Sequence, residues 1–497
     1  MHRPRLKNLL ESVPLFLLLV PAFVVLHLEK VFHHLIHYHF AVVQLCVMML
    51  ATVIIIIFSR AIFRNKKKAW ITAFILMIGW FYIGLMKNAM EEEYPDKFYS
   101  SYTYLMPLSL ITLFLLIYTL RKFKGSLNRL FFFINTLWLI FILVDIISII
   151  ISDILPATQQ IKNTYRLPVK NIEDSLKPDI YFIVFDSYSA NAVLKKMGFD
   201  NHVIEEKLEA SGFKMITGST SNYNLTPYSL ASTFNMKYLD FAKTRNKILL
   251  IDYFKAVDAV KWNGMFPWLS RNGYQIEAYT FFDFPGKPSI NKKHDAWDIN
   301  GLFLQHNLAL KVYDDIYWNF GLKSLNTEAK LAFEIEQRDA YDDTVFSKLI
   351  NSRHQRFSSP VFTYAHFFMP HSKNSYDSAG NKIIQLPLLS EKETEKLYTE
   401  EIKFVNKRIL AITDTLLKHS NRPLVIIIQG DHGYRFGEDE RKLDEFPNFN
   451  AVYFSNGDYG RLPDTISNVN LFKAVLNTWF KQQIPYDPNR HYFLKYK

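Results

Sequence analysis

The 497-residue chain has a single cysteine, Cys46. One cysteine excludes an intramolecular disulfide, even in an oxidising compartment. Cys46 lies in an apolar run, where we expect it to be a small packing residue. The rest of the chain therefore offers no cysteine nucleophile. Internal repeats and low-complexity tracts are also absent after residue 177.

The greater part of the chain lacks a net charge, although the formal total is +11. Segments 1–12, 59–69 and 121–129 together carry 12 Lys and Arg and one acid, which leaves 46 basic and 46 acidic residues elsewhere. A nucleic-acid-binding protein would spread a basic surface over its folded part. We therefore expect no nucleic-acid partner.

Charged residues are almost missing from five apolar runs. These cover 12–28, 40–58, 70–86, 101–120 and 130–152. Each is close to the roughly 20 residues that a helix needs to cross a bilayer. A cleaved signal peptide would be a single run, so the five predict retained spans.

The fifth run contains one acid, Asp145. Acids inside a membrane are functional candidates, which leaves a transporter as one alternative. A single acid in five spans favours a hydrogen bond to a neighbouring helix or a position near the outer interface.

The three basic segments fall on one side of a membrane if the five spans alternate. By the positive-inside rule the N-terminus is then cytoplasmic, and the chain after the fifth span is outside. The first span is interrupted by Pro14, Pro21 and His27, so a re-entrant segment is the alternative. The sequence predicts a multi-pass protein of the plasma or inner membrane.

The predicted domains are an anchor of five helices (1–152), a linker (153–176) and an extracytoplasmic catalytic domain (177–497). Runs 180–185 and 424–428 are continuously apolar, as in parallel strands covered on both faces. Other predicted strands are 274–281, 361–368 and 451–455, and the predicted helices are 200–211, 328–350, 391–419 and 469–481. This alternation predicts an α/β fold with a mainly parallel sheet covered by helices.

Acids follow the two strongest strands directly. Asp186 ends the first, and Asp431 follows the second, with His432 and Gly433 next. Ligands bind beyond the carboxyl ends of parallel strands, and two carboxylates with an imidazole suit a divalent cation. The alternative for Asp186 alone is a turn former at a strand end.

Thr226 and Pro227 mark a helix start, with Thr226 as N-cap and Pro227 as the first helical residue. A cap is the purely structural interpretation. The functional one is that a hydroxyl at a helix N-terminus faces unpaired N–H groups that favour phosphate. A metal ion would lower the hydroxyl pKa enough to make it a nucleophile.

His366 and His371 lie at and just after the predicted strand 361–368. Each is an ordinary polar histidine in the simplest interpretation. In this position either could bind a phosphate oxygen, protonate a leaving group or hold a second metal.

The order of these pieces resembles the alkaline phosphatase superfamily, specifically its membrane-anchored sulfatase-like hydrolases and transferases. These include lipoteichoic acid synthases and phosphoethanolamine transferases. The resemblance covers about residues 177–455, and the five-span anchor extends it. The sulfatase pattern C-x-P-S-R-A-x-L-L-T-G corresponds to T-P-Y-S-L-A-S-T-F-N-M from Thr226.

The resemblance implies a role for each candidate residue. Thr226 falls on the nucleophile and His371, which we expect to be catalytic, on the substrate histidine of a P-H motif. His366, which the pattern does not assign, is expected to bind substrate. The implied cofactor is one divalent ion, Mn or Zn, and its implied ligands are Asp186, Thr226, Asp431 and His432.

The chain departs from the sulfatase pattern at residues on which formylglycine chemistry depends. Sulfatases convert Cys or Ser to formylglycine, which Thr226 cannot form, and Leu230 and Ser187 replace the usual Arg and second Asp. These differences favour the phosphotransferase branch. The subfamily stays open, because the globular part has no cysteine, unlike phosphoethanolamine transferases, and Asp186 replaces the Glu of lipoteichoic acid synthases.

The predicted function is a two-step phosphoryl or phosphodiester transfer through a phosphothreonine at Thr226. A phospholipid headgroup is the expected donor and a glycan or lipid the expected acceptor, by analogy with the family. One alternative is a phosphodiesterase, phosphatase or sulfatase-like hydrolase with water as acceptor. Another is a non-catalytic receptor or scaffold with the same fold.

Overall fold

The computed structural model describes residues 3–32, 38–94, 97, 99, 102–154, 173, 177–242, 247–248, 250–290, 323–352, 359–371, 376–383, 390–419, 422–435 and 439–496. Within these ranges the chain forms two compact units, one before residue 160 and one after it. Most of the predicted linker, 153–176, lies outside the described residues.

The first unit is helical. Its helices are α1 (Arg3–Ser12), α2 (Phe16–Val31), α3 (Tyr38–Ile62), α4 (Lys66–Glu93), α5 (Tyr102–Lys122) and α6 (Asn128–Ile154). Helices α3 to α6 are each long and apolar enough to cross a membrane, and α1 with α2 forms a pair bent by 92° that makes up to a fifth span. The apolar runs of the sequence therefore coincide with α2 to α6.

The bend between α1 and α2 has a polar partner. Pro14 interrupts the helical hydrogen bonds there, and the buried Asn135 of α6 replaces them. Its side-chain oxygen accepts from Phe16 N at 2.8 Å, and its amide donates to Leu10 O and Val13 O at 2.8 Å. An unsatisfied backbone group is costly in a bilayer, so Asn135 stabilises the break.

Asp145 of α6 binds a neighbouring helix, as expected. It is buried, and its carboxylate accepts from Lys30 Nζ at 2.6 Å and lies 3.0 Å from His27 Nδ1, both on α2. The acid is thus a partner of α2 within the helical unit.

The second unit has the predicted α/β architecture. Its strands are β1 (Asp179–Phe185), β2 (Lys214–Met215), β3 (Gly218–Thr220), β4 (Lys247–Ile248), β5 (Gln275–Tyr279), β6 (Val361–Phe367), β7 (Leu424–Gly430), β8 (Asn450–Phe454), β9 (Thr465–Ser467) and β10 (Lys495–Tyr496). Its helices are α7 (Asn191–Lys196), α8 (His202–Ala210), α9 (Thr226–Asn235), α10 (Leu250–Lys261), α11 (Met265–Arg271), α12 (Lys323–Ser352), α13 (Glu391–His419) and α14 (Asn468–Trp479).

The central sheet has the order β2-β8-β7-β1-β6-β5. Strands β7, β1, β6 and β5 are parallel to one another, and β8 and β2 pair antiparallel at one edge. The sheet is therefore mainly parallel, as predicted. The continuous apolar runs in β1 and β7 are explained by helices on both faces.

Helix α9 is buried along its whole length against this sheet. Phe234 of α9 makes edge-on ring contacts with Tyr364 of β6 and Phe182 of β1, with centroids 5.0 and 5.6 Å apart. This aromatic packing fixes the N-terminus of α9 beside the carboxyl ends of the strands.

Candidate active site

Two neighbouring strands bring Asp186 and Asp431 together. Val184 of β1 pairs with His366 of β6 on one side and Gln429 of β7 on the other. Side chains alternate along a strand, so Asp186 and Asp431, each two residues further on, face the same side as His366. Both acids are buried. The predicted carboxylate pair is therefore present at the predicted edge.

Thr226 joins this pair from the start of α9. Its Oγ1 lies 3.4 and 3.5 Å from the two carboxylate oxygens of Asp186 and 3.4 Å from Nε2 of His432. The prediction of Thr226 as N-cap is wrong by one residue. Leu225 has the extended cap conformation, and Thr226 is the first helical residue. The hydroxyl consequently faces the acids rather than capping the helix.

His432 presents a lone pair to the same point. Its Nδ1 lies 2.9 Å from the carbonyl oxygen of Gly433, which can only accept, so Nδ1 carries the proton. Nε2 is then unprotonated, 3.5 Å from an oxygen of both Asp186 and Asp431. Burial also lowers the pKa of His432, which keeps the ring neutral.

The two carboxylates need a cation. Burial, and then the charge of Asp431, raise the pKa of Asp186 well above its ordinary value. Among the described residues, Oδ2 of Asp431 has no hydrogen-bond donor. The two buried acids, the unprotonated Nε2 of His432 and the Thr226 hydroxyl form a donor set that fits a divalent metal.

His366 approaches the acids from the neighbouring strand. A ring nitrogen of His366 and oxygens of Asp186 and Asp431 all lie within 4.8 Å of one another, so these three could hold a metal ion. Nδ1 of His366 is 2.9 Å from the Tyr364 hydroxyl, and Nε2 has no partner among the described residues. Burial lowers the pKa of His366 to about 4.

His371 lies near this cluster in the loop after β6. It is half-buried, and its ring centroid is 6.4 Å from that of His432. Nη2 of Arg435, a residue that sequence reasoning missed, donates to Nε2 of His371. Burial, and then Arg435, hold the pKa of His371 well below its ordinary value. The structure thus brings both predicted histidines to the edge where the acids lie.

Helix α12 holds the end of β6 in place, through residues that no sequence motif indicated. The Tyr341 hydroxyl donates to the carbonyl of His366 at 2.6 Å. The Asp342 carboxylate accepts from Phe368 N at 2.8 Å and Met369 N at 3.2 Å. Both side chains therefore position the segment that carries the two histidines.

The turns beside the acids are fixed by Ser187 and Gly433. Ser187 has a left-handed φ of 64°; its N–H donates to Asp431 Oδ1 at 2.9 Å and its hydroxyl to the Gly433 carbonyl at 2.9 Å. A Cβ on Gly433 would stand 2.3 Å from Asp444 O, so only glycine fits there. Ser187 thus has a structural role in place of the second Asp of the sulfatase pattern.

The nearby hydroxyl of Ser229 is already engaged. It donates to the backbone carbonyl of Asp431 at 2.6 Å, and the Asn468 amide donates to it at 3.0 Å. Thr226, by contrast, directs its hydroxyl at the acid cluster. Of these two hydroxyls on α9, only that of Thr226 faces the acid cluster.

Several known proteins are similar to this chain. The model of a protein family described as Sulfatase matches residues 178–486. Similar solved structures include the C-terminal periplasmic domain of EcEptC from Escherichia coli, which is 13% identical over 66% of this chain and 90% of its own, with a TM-score of 0.38. Another is the integral membrane protein lipooligosaccharide phosphoethanolamine transferase A (EptA) from Neisseria meningitidis, 12% identical over 95% of both chains, with a TM-score of 0.36. No curated protein sequence matches the chain.

Proposed function

Because the chain belongs to the sulfatase family, within the alkaline phosphatase superfamily of enzymes, we propose that it is a metal-dependent phosphoryl or phosphodiester transferase with Thr226 as nucleophile. One observation carries this proposal. The Thr226 hydroxyl, at the N-terminus of a buried helix, faces Asp186 and His432 within 3.5 Å.

The proposed metal ligands are Asp186, Thr226, Asp431 and His432, which together would hold one divalent ion. His366 is a further candidate, because it shares the two carboxylates. A bound Mn or Zn ion would lower the pKa of the Thr226 hydroxyl and neutralise charge on the phosphate. The unpartnered oxygen of Asp431 and the unprotonated Nε2 of His432 support this assignment.

The proposed reaction has two displacements at phosphorus. Thr226 Oγ1 attacks, the bond to the donor alcohol breaks, and that alcohol leaves with a proton while a phosphothreonine forms. An acceptor hydroxyl then attacks the same phosphorus, loses its proton and releases Thr226. His371 is proposed as the catalytic histidine and His366 as a substrate-binding one. The α9 N-terminus would stabilise the phosphate through its unpaired N–H groups.

The proposed setting is the outer face of the plasma or inner membrane. The apolar helices α2 to α6 and the basic segments between them support an anchor at 1–152 and an extracytoplasmic domain at 177–497. A domain tethered there meets lipid headgroups and surface glycans. A phospholipid headgroup is therefore the proposed donor, and a glycan or lipid the proposed acceptor. With water as acceptor the same residues would make a hydrolase.

Two measurements test this proposal. Mass spectrometry of lipids and surface glycans from a deletion strain should show the loss of a phosphate-containing substituent that the parent carries. Acid quenching of the purified protein with a phosphodiester should leave the added group on the peptide that contains Thr226. Unchanged profiles together with no label would refute the transferase. A label without any glycan or lipid change would indicate hydrolysis.

A further inference from the structure

Arg435 is a half-buried arginine of the catalytic unit that forms no ion pair with a carboxylate of the described residues. Its guanidinium contacts Nε2 of His371, and no carboxylate of the described residues lies within 4.0 Å of it. Three other arginines of this unit do have carboxylate partners: Arg408 with Asp343 at 2.5 Å, Arg441 with Asp444 at 2.9 Å and Arg422 with Asp179 at 3.7 Å. Its half-buried positive charge is therefore available to an anion.

The contact with His371 orients this charge. Nε2 of His371 accepts the hydrogen bond, so it carries a lone pair and the ring holds one corner of the guanidinium fork. Arginine has five N–H donors in a fixed plane, and one contact leaves the others able to bind two oxygens at once. The remaining N–H donors of Arg435 have the geometry that suits a planar or tetrahedral oxyanion.

Arg435 also lies close to the reaction centre. Burial raises the pKa of Asp186, and the charge of Arg435 opposes that rise; burial lowers the pKa values of His432 and His371, and the same charge adds to that fall. Arg435 follows Asp431 by four residues, in the turn that leaves β7. The ring of His371, which Arg435 contacts, has its centroid 6.4 Å from that of His432, and Nε2 of His432 lies 3.4 Å from the Thr226 hydroxyl. Arg435 is therefore near the proposed nucleophile.

The charges of the proposed metal site do not balance that of a bound phosphate. Asp186 and Asp431 contribute two negative charges, which one divalent ion would balance, and His432 is neutral. Leu230, where the sulfatase pattern has arginine, is buried and apolar. A phosphate therefore brings negative charge that the ligand set does not balance and that no cationic side chain at position 230 of α9 meets.

We propose that Arg435 binds the non-bridging oxygens of the substrate phosphate and that His371 positions its guanidinium. This rests on the proposed function for its substrate class, an anionic phosphate ester. The sulfatase pattern has an arginine at the position of Leu230 on α9. In this chain the positive charge would come instead from Arg435, in the turn after β7.

The test uses the full-length, metal-loaded protein in detergent, with inorganic phosphate as the probe. Calorimetric titration should show Arg435→Gln weakening phosphate binding by about 10- to 100-fold, the range for a charge-assisted hydrogen bond. Arg435→Lys keeps the charge but not the fork, so it should recover only part of the affinity. Arg461→Gln, which removes an exposed arginine of the same unit, is the matched control and should bind like the wild type.

His371→Ala tests the positioning role. If His371 acts through Arg435, the double variant should bind phosphate no more weakly than Arg435→Gln alone. Additive losses would instead show that His371 contacts phosphate independently. Metal content, measured first, should be equal in all variants, and a loss in Arg435→Gln would make it a support of the metal site and overturn the proposal.

Two outcomes refute Arg435 as the receptor directly: equal phosphate affinity in Arg435→Gln and Arg461→Gln, or no phosphate binding by the wild type. The proposed phosphotransfer fails separately. If Arg435→Gln loses phosphate affinity while the wild type turns over no phosphodiester, the receptor stands and the transferase does not.

Discussion

Replacing Thr226 tests whether its hydroxyl is structural or catalytic, because the two roles predict losses of stability and of turnover that differ greatly in size. Its three oxygen and nitrogen neighbours lie at 3.4 to 3.5 Å, at the long limit of hydrogen bonding, and Leu225 rather than Thr226 is the helix cap. Removing such a hydroxyl should lower the free energy of unfolding by about 1 kcal/mol or less. The melting temperature of the domain should then fall by only about 2–4 °C.

The expected catalytic loss is far larger. A covalent nucleophile contributes several orders of magnitude in rate, so Thr226→Ala should reduce kcat by about 10⁴-fold or more. Thr226→Val is the sharper variant, because it keeps both the volume and the branched Cβ and removes only the hydroxyl. Thr226→Ser keeps the hydroxyl and should retain partial activity.

The assay measures turnover of bis(4-nitrophenyl) phosphate by the full-length, metal-loaded protein, with melting temperature and metal content recorded for each variant. Ser229→Ala is the control from the same helix. It loses bonds to Asp431 O and Asn468, so it should be less stable and still active. Thr226 is not the nucleophile if Thr226→Val keeps more than about 1% of wild-type turnover, or if the covalent label appears on Ser229.

Three further predictions follow from the site and the helices. Elemental analysis should find about one divalent ion per chain in the wild type and much less in Asp431→Asn, because a neutral amide is a poor ligand. The exposed control Asp464→Asn should match the wild type, and equal metal contents in all three would remove the metal assignment. An alkaline phosphatase fusion at the C-terminus should be active and one in the 59–69 loop inactive, and the reverse pattern would invert the orientation. Because folding lowers the pKa of His366 from 6.5 to about 4, the unfolded state binds a proton between these values that the folded state does not. The free energy of unfolding should therefore fall by roughly 3 kcal/mol as pH drops from 6.5 to 4. His366→Gln should lack this component in thermal unfolding at pH 7.5 and 4.5, and an unchanged pH dependence would contradict it.

Much of the site could be predicted because it lies at ends of regular elements. Asp186 and Asp431 follow strands whose continuous apolar sequence identifies them, and Thr226 begins a helix that Pro227 marks. Parallel strands bring their carboxyl ends to one edge, so local patterns were enough to predict the meeting of these three residues. The predicted N-cap was wrong by one residue because the sequence does not show whether Leu225 or Thr226 takes the cap position. The backbone angles decide it.

The remaining contacts depend on packing between distant segments. Arg435 contacts His371, which is 64 residues away in sequence, and Asp342 of α12 accepts a hydrogen bond from Phe368 N, just after β6. No periodicity or motif encodes such a pairing. A basic residue just after the D-H-G motif was the available signal for Arg435, but the sequence does not show that its guanidinium contacts His371.

The proposed orientation does not depend on whether α1 and α2 form one broken span or a re-entrant segment. Helices α3, α4, α5 and α6 qualify as spans by themselves, and the basic segments at 59–69 and 121–129 connect α3 to α4 and α5 to α6. Two connections separated by two spans lie on the same side, which the positive-inside rule makes cytoplasmic. The C-terminal end of α6 is then on the other side under either interpretation. Only the location of the N-terminus changes, and its Arg3, Arg5 and Lys7 favour the cytoplasmic side, which requires that α2 completes the crossing.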